Sequence, residues 1–280
     1  MARDQGRPEF FVKFWGTRGS IACSGPDTMR YGGNTSCIEV MCGSQRLIFD
    51  GGTGLRKLGR EIAQEGPQDI DLFLTHTHLD HIIGLPFFVP FHIPGNNPRV
   101  WAGNLLPDRT LKGTLSDMMQ APLFPVPPET FRANVEFHDF EAGDTLTPGT
   151  GITLRTAPLN HPNGACGYRI EFDGRSICYI TDTEHYPEGR DQTVVDLVRG
   201  ADIMIYDATY TEEEYPRFVG FGHSTWEEAV RVADAAGVKT LVLFHHEPTH
   251  DDEFMDDIAE AVDEARPGSV VAREGMMMRP

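Results

Sequence analysis

Short apolar segments alternate with polar, glycine-rich stretches along the whole chain. Short apolar runs bounded by turn residues are typical of buried strands, and longer runs with one apolar helical face are typical of helices. The predicted strands are 10–15, 37–41, 46–49, 70–74, 135–140, 152–156, 167–172, 176–180, 203–206, 240–244 and 269–272. The predicted helices are 55–64, 110–119, 192–199, 225–236 and 252–265. Strands that first follow one another and later alternate with helices predict an α/β fold, a mixed sheet system with helices outside.

The stretch 86–128 differs from the rest because it is rich in proline. It contains the predicted helix 110–119, and its composition predicts a covering loop region over the site that the strands build. The chain shows no repeat and no long linker. Residues 1–280 are therefore expected to form a single domain.

The composition favours an enzyme over a nucleic-acid-binding scaffold. The chain has 280 residues, 40% of them hydrophobic, which is enough for a large core. Its formal net charge is −18 and no run of Lys or Arg forms a basic patch, so the surface as a whole repels polyanions. The five cysteines form no CxxC pair, which favours reduced thiols in the cytoplasm. No targeting signal precedes residue 10, and the apolar stretch 82–93 is too short to span a membrane.

The segment 75–81 reads THTHLDH and carries the densest chemistry of the chain. Because strand geometry places alternate residues on one side, His76 and His78 are expected to project together from the end of the strand 70–74. Asp80 and His81 are adjacent, so their side chains must point in different directions. Imidazole and carboxylate are metal-binding groups, and two pairs facing different ways fit two neighbouring metal ions better than one.

Further candidate ligands follow other predicted strands directly. His161, Asp182, Asp207 and His245 each lie just past an apolar segment. The carboxyl ends of strands are where active-site residues collect in α/β folds. Each residue alone is explained well enough as a surface polar group, but together with the cluster at 76–81 they predict one site.

This ordered set of motifs resembles the metallo-β-lactamase superfamily. Asp50 in FDGG is similar to an early motif of that superfamily. The segment 222–225, GHST, and the segment 205–210, IYDATY, are similar to motifs of its ribonuclease Z and phosphodiesterase branch. The resemblance implies an αββα sandwich, in which two mixed sheets lie face to face with helices outside and metals at one edge.

The resemblance also implies the ligand assignment. The first metal would be held by His76, His78 and His161, the second by Asp80, His81 and His245, with Asp182 binding both. His246 lies next to His245 and is an alternative by residue type, whereas His245 is aligned with the family position. Asp50 would accept a hydrogen bond from a ligand imidazole, although an ordinary turn aspartate explains it equally well on sequence alone. Zinc is the first expectation for the two divalent ions, and manganese and iron are alternatives.

The same resemblance predicts a hydrolytic reaction. A hydroxide bridging two metals would be the nucleophile, with Asp80 orienting it. His223 would act as the general acid for the leaving group, held in place by Asp207. The alternative for His223 is a structural neighbour of a helix cap, since Ser224 or Thr225 can cap the predicted helix that follows.

A small anionic phosphodiester, such as a cyclic nucleotide, is the expected substrate. The stretch 86–128 has few basic residues, so a tRNA partner is not expected. Arg18, Asn34 and Thr35 lie in glycine-rich turns that could contact a phosphate, or serve merely as tight turns. The alternatives are an RNA-processing nuclease of ribonuclease Z type and a thioester or lactam hydrolase of the same fold. The complete ligand set argues against a non-catalytic binding protein, and a homodimer is one expectation because related phosphodiesterases are often dimers.

Overall fold

Two mixed β-sheets form the centre of the molecule. The computed structural model describes residues 8–187 and 189–280. Its strands are β1 (Phe10–Gly16), β2 (Cys37–Cys42), β3 (Gln45–Phe49), β4 (Asp69–Leu74), β5 (Asn97–Ala102), β6 (Glu136–Asp139), β7 (Thr145–Gly149), β8 (Ile152–Leu159), β9 (Ala165–Phe172), β10 (Arg175–Ile180), β11 (Ile203–Asp207), β12 (Thr240–Phe244), β13 (Val270–Val271) and β14 (Met277–Met278). Its α-helices are α1 (Leu55–Ile62), α2 (Leu79–Ile82), α3 (Leu111–Met118), α4 (Gln192–Val198), α5 (Trp226–Ala236) and α6 (Asp252–Ala265).

Each sheet combines an antiparallel half with a parallel half. The first sheet has the order β14-β1-β2-β3-β4-β5-β6, and its strands run parallel from β3 to β6. The second has the order β13-β12-β11-β10-β9-β8-β7, and its strands run parallel from β10 to β13. Parallel strands end at the same edge of a sheet, so the residues that follow them are brought together.

Aromatic side chains fill the space between the sheets. The Phe49 ring lies 5.4 Å from the Phe73 ring of its own sheet and 5.2 Å from the Tyr168 ring of the other. All three side chains are buried, as are the apolar side chains around them from both sheets. Burial of apolar area is the main source of stability for a domain of this kind. The layer fixes how the two sheets face each other at their common edge.

Helices cover the outer face of each sheet. Helices α1 and α3 pack on the first sheet, and α4, α5 and α6 pack on the second. The boundaries of α5 have clear local causes. The Thr225 hydroxyl accepts a hydrogen bond from the Glu228 amide at its start, and Gly237 ends the helix in a left-handed conformation with φ of 65°. The αββα sandwich confirms the fold class predicted from the sequence.

Part of the predicted covering region is a strand. Residues 97–102 form β5, which lies between β4 and β6 inside the first sheet. The sequence prediction missed β5, and also missed β7, because each contains a proline, at Pro98 and Pro148. Proline removes a backbone donor and usually indicates a turn or an edge strand. The short elements α2 and β14 also escaped prediction, and among the described helices none is both long and apolar enough to cross a membrane.

Candidate metal centre

Four strand ends converge at one edge of the sandwich. Strand β4 leads into the segment 75–81, and β8, β10 and β12 lead into His161, Asp182 and His245. The side chains thus come from both sheets, which explains how residues far apart in the sequence meet. The predicted metal ligands form two adjoining groups. Within each group, the ligand atoms lie within 4.8 Å of one another.

The first group contains the three imidazoles of His76, His78 and His161. The His161 Nε2 atom lies 3.0 Å from the His78 Nδ1 atom. The His76 ring centre is 4.4 Å from that of His78 and 4.7 Å from that of His161. The His161 Nδ1–H donates to the Gly222 carbonyl oxygen at 2.8 Å, which leaves the Nε2 lone pair free to bind a cation.

The second group contains Asp80, His81, Asp182 and His245, all buried. The His81 Nε2 atom lies 3.3 Å from an Asp80 oxygen and 3.2 Å from Asp182 Oδ1. The His245 Nε2 atom lies 3.3 Å from both of these carboxylates. Asp182 also lies close to the first group, with its Oδ2 atom 3.7 Å from the Nε2 atoms of His76 and His161. Asp182 therefore stands between the two groups, the position that the sequence-based hypothesis requires of a shared ligand.

Two buried nitrogen atoms show that the residues fit metal ions. The Nε2 atoms of His76 and His81 are shielded from solvent and make no hydrogen bond within the described residues. Both face Asp182 oxygens at 3.7 and 3.2 Å. Leaving a buried polar atom unpaired is costly. A cation bound between these imidazole nitrogens and the Asp182 oxygens would remove that cost. Imidazole and carboxylate are the usual donors for zinc and other first-row metals.

The electrostatics of the pocket favour the ligand forms of His76 and Asp80 but the protonated form of His81. Burial alone would lower the pKa of His81, but the carboxylates of Asp182, Asp80 and Asp50 raise it well above its usual range, so a metal ion would have to displace its proton. Burial and the charge of neighbouring His81 hold the pKa of His76 well below its usual range, so its imidazole is neutral. Burial alone would raise the pKa of Asp80, but His81 and His245 outweigh it and hold that pKa below its usual range. Metal binding requires a neutral imidazole and an ionised carboxylate.

Asp50 supports His81 from behind. Its Oδ2 atom accepts hydrogen bonds from His81 Nδ1 and from the Tyr179 hydroxyl, both at 2.9 Å. Its Oδ1 atom accepts one from the Thr75 amide at 2.8 Å. A carboxylate that receives Nδ1–H fixes the tautomer and orientation of the imidazole and turns Nε2 towards a metal. The geometry matches the hydrogen-bonding role considered for Asp50 and does not match that of an ordinary surface turn residue.

Three residues of the site adopt the left-handed backbone conformation. Asp50, Asp182 and His245 have φ of 60°, 58° and 63°. Non-glycine residues rarely adopt positive φ, and such strain collects at functional sites. At Asp182 and His245 the unusual turn comes just after a strand, and it aims the side chain into the shared centre.

His223 and Asp207 form a hydrogen-bonded pair beside the metal groups. The His223 Nδ1–H donates to Asp207 Oδ2 at 2.9 Å, and the same nitrogen lies 3.9 Å from Asp182. Burial alone would lower the pKa of His223, but the charge of Asp207 and this hydrogen bond raise it to about 9. The Thr225 side chain caps α5, so His223 is not needed for capping. These residues also belong to a third group of potential ligands, Asp182, Asp207, His223 and His245.

The three predicted substrate contacts are engaged in hydrogen bonds within the protein. Arg18 is fully buried, and its guanidinium donates to the carbonyl oxygens of Gly32, Glu247 and His250. The Asn34 side chain binds the Glu274 carboxylate. The Thr35 amide donates to the Thr53 hydroxyl, and the Thr35 hydroxyl accepts a hydrogen bond from the Thr53 amide. These bonds hold the turns of the sheet edge together, and a phosphate contact at these three residues stays a prediction.

His246 points away from the centre although it is adjacent to His245. Its Nε2–H donates to the Ala272 carbonyl oxygen at 2.8 Å, and its ring lies against Tyr31. The left-handed turn at His245 separates the two neighbours. Sequence reasoning missed Thr209, whose hydroxyl lies 3.0 Å from His245 Nδ1 and 2.7 Å from Asp207 Oδ1. Its place two residues after Asp207, in a segment singled out for other reasons, was the available signal.

A cavity of about 450 Å³ opens beside His78. Its lining residues are Thr77, His78, Asn104, Leu105, Asp108, Arg109, Thr114 and Asn163. The part of the predicted covering region that follows β5 therefore borders the metal centre. Arg109 is the single basic residue of this lining, and its guanidinium is paired with Asp117 at 3.0 Å.

Comparison with known proteins places this site in a family. A family model described as a beta-lactamase superfamily domain matches residues 45–246. The chain belongs to the metallo-β-lactamase superfamily. The matched stretch contains all seven proposed metal ligands, and the protein is a metal-dependent hydrolase of this superfamily.

The superfamily member is similar over nearly its whole length to a ribonuclease Z. That relative, from Haloarcula marismortui, is 27% identical over an alignment of 322 residues that covers 96% of each chain. Because the alignment is longer than the 280 residues of this chain, the relative carries segments that this chain lacks. The resemblance to the ribonuclease Z and phosphodiesterase branch is thereby confirmed.

Solved structures share the fold of this metallo-β-lactamase superfamily member. The metallo-beta-lactamase fold protein YhfI from Bacillus subtilis has a TM-score of 0.73 at 18% identity, covering 96% of this chain and 98% of YhfI. The short form of human tRNase Z has a TM-score of 0.64 at 20% identity, with the same coverage of each chain. At this level of identity the two structures support the αββα architecture.

Gly222→Ala is expected to weaken metal binding at the first group. Gly222 has φ of +91°, and a Cβ atom there would lie 2.2 Å from His161 Nδ1. Because the Gly222 carbonyl also orients His161, we expect a loss of about 10- to 100-fold in metal affinity, as for other partners of ligand imidazoles. Metal titration of the metal-free protein measures the effect. Gly220→Ala is the matched control, with φ of +89° but no atom within 4 Å of the added Cβ, and equal losses in both variants would contradict this explanation.

Proposed function

We propose that this metallo-β-lactamase superfamily member hydrolyses phosphodiester bonds. The observation that carries the proposal is the His223–Asp207 pair, which stands 3.9 Å from the carboxylate between the two ligand groups. Expulsion of an alkoxide from a phosphodiester requires a proton, and an imidazole held by a carboxylate can supply it. The pair is not needed to complete the two ligand groups, so a proton-transfer role accounts for its presence.

The metal ligands in this proposal are His76, His78, Asp80, His81, His161, Asp182 and His245. Two divalent ions held by them, with zinc as the proposed metal, would lower the pKa of water and neutralise charge on the phosphate. Asp80 is well placed to orient the attacking water, since its own orientation is fixed by the Ser20 amide at 2.8 Å. His223 keeps its Nδ1–H on Asp207 and delivers the proton to the leaving oxygen from Nε2.

The relative's name favours RNA as the substrate. Ribonuclease Z is the name of the Haloarcula protein, so the RNA-processing alternative is better supported than the small phosphodiester that the sequence analysis preferred. The expectation that tRNA is not a partner loses its support for the same reason. We therefore propose an RNA phosphodiester as the first substrate class for this site, in a cytoplasmic enzyme.

A small phosphodiester is the second candidate, and charge is the observation that favours it. The net charge is −18, and the cavity beside His78 offers one basic side chain that is already paired with an acidic one. A polyanion gains affinity from several free Lys or Arg side chains, whereas a single phosphodiester does not need them. The segments that the Haloarcula relative carries in addition are also absent from this chain.

The test measures the hydrolysis of four substrates in parallel by the metal-reconstituted protein. These are bis(p-nitrophenyl) phosphate, a precursor tRNA, a cyclic nucleotide and a thioester. We expect turnover of bis(p-nitrophenyl) phosphate that disappears with a chelator and returns with divalent metal. Cleavage of precursor tRNA at a defined site supports the RNA proposal, and turnover of the cyclic nucleotide alone supports the second candidate. Thioester hydrolysis without diester hydrolysis would overturn the proposed reaction.

A further inference from the structure

Glu184 is a buried carboxylate next to the centre with an unusual set of partners. It lies two residues after Asp182 and is 9% exposed. Its Oε1 atom accepts hydrogen bonds from the Tyr215 hydroxyl and the Gly220 amide, both at 2.8 Å. Its Oε2 atom accepts one from the Gly222 amide at 2.8 Å. A buried carboxylate is expensive unless its oxygen atoms are paired, and three donors pair both oxygens here.

These contacts tie together three loops that carry functional side chains. Glu184 itself follows Asp182 on the loop after β10. Its backbone amide donates to the Asn160 carbonyl oxygen, and the Asn160 side-chain amide donates back to the Glu184 carbonyl oxygen, both at 2.8 Å. Asn160 directly precedes His161. The carboxylate holds the third loop, Tyr215 to Gly222, which leads directly into His223.

The anchored glycine acts on two functional imidazoles at once. The Gly222 amide binds Glu184, while its carbonyl oxygen accepts the His161 Nδ1–H. The next residue is His223, whose ring is fixed on its other side by Asp207. Rotation of the peptide units around Gly222 would therefore move His161 and His223 together. Gly222 has φ of 91°, a conformation that glycine adopts without steric cost, so the contacts at its amide and carbonyl set the position of the loop.

We propose that Glu184 is a positioning residue that holds the loop Tyr215 to Gly222 so that His223 can deliver its proton to the leaving oxygen. The inference rests on the proposed phosphodiesterase function. Glutamine is the informative replacement because it has the same shape, but its NH₂ group cannot accept the hydrogen bonds that one carboxylate oxygen accepts. In Glu184→Gln at least one loop donor is left unpaired, and the loop loses its fixed position.

The first arm of the test compares two diesters that differ in their leaving group. The p-nitrophenolate of bis(p-nitrophenyl) phosphate leaves without a proton, whereas the phenolate of diphenyl phosphate is more basic and depends more on an acid. We expect kcat of Glu184→Gln to fall about tenfold further on diphenyl phosphate than on bis(p-nitrophenyl) phosphate, with little change in KM. This is less than the loss of about 10² to 10⁴ that is typical when a general acid is removed, since His223 itself remains. Equal losses on the two diesters would overturn the positioning role.

The second arm measures the loop directly in the metal-free protein. Hydrogen exchange of the peptide 215–223 should be faster in Glu184→Gln than in the wild type, because the Gly220 and Gly222 amides lose their acceptor. Glu213→Gln is the matched control, an exposed acidic residue of the same region. Tyr215→Phe removes one donor to Glu184 and is expected to give the same pattern more weakly, which keeps the test open if Glu184→Gln folds poorly. Unchanged exchange overturns the proposal, whereas absence of diester turnover in the wild type overturns the proposed function while leaving this arm informative.

Discussion

Asp182→Asn is expected to abolish hydrolysis and to release most of the bound metal. Asp182 lies within 3.7 Å of imidazoles in both ligand groups, so its loss damages both at once. Metal ions provide several kcal/mol of transition-state stabilisation, and each 1.36 kcal/mol is a factor of ten in rate, so a loss of at least about 10³-fold is expected. Elemental analysis after dialysis gives the metal content, and turnover of bis(p-nitrophenyl) phosphate gives the rate.

Asparagine is chosen because it tolerates the left-handed conformation that Asp182 adopts, with φ of 58°. Asp173→Asn is the matched control, since Asp173 is exposed and has φ of 51° in the turn between β9 and β10. Asp173→Asn should keep both metals and full activity. If Asp182→Asn retained two metals and near-normal turnover, Asp182 would not be the ligand shared by the two groups.

His223→Ala is expected to lose turnover and to keep both metals. Loss of a general acid typically reduces the rate by about 10² to 10⁴, and the loss should be larger for the more basic leaving group of diphenyl phosphate. Metal content should stay near that of the wild type, because the two ligand groups proposed here do not include His223. The measurements are kcat on both diesters and elemental analysis of the same preparations.

Metal content decides between two roles for this histidine. His223 also belongs to the third group of potential ligands, with Asp182, Asp207 and His245. A His223→Ala protein that loses one metal would place His223 among the ligands and not among the proton donors. His138→Ala is the control for removal of a histidine, because His138 stacks on Trp101 in the first sheet, away from the centre.

Much of the site could be predicted because its residues occur in a fixed order after apolar strands. His76, His161, Asp182 and His245 all follow segments whose apolar pattern marks them as buried strands. Strand ends meet at one sheet edge, so residue type and position together were sufficient to bring these side chains into one hypothesis. Mixed sheets with helices outside followed from the same pattern, and the αββα arrangement followed from the resemblance.

What could not be predicted depends on the direction of side chains and on contacts between loops. Arg18 was a reasonable phosphate contact by charge, yet it is buried against backbone carbonyl groups. Glu184 carried no signal, because a glutamate in a loop is usually exposed. The strand β5 was missed because Pro98 and the turn residues before it form a local pattern that usually indicates a loop. In each case the structure depends on a contact between residues that are far apart in the sequence.

The two β-sheets contribute separately to the metal centre. His76, His78, Asp80 and His81 follow a strand of the first sheet, whereas His161, Asp182 and His245 follow strands of the second. Neither half of the chain can assemble either group alone, since the first group needs His161 and the second needs Asp182 and His245. Metal bound by these residues would therefore cross-link the two layers, and by mass action it would add to the apolar packing that holds them together. Metal supply in the cell would thus affect the stability of the folded protein as well as its turnover.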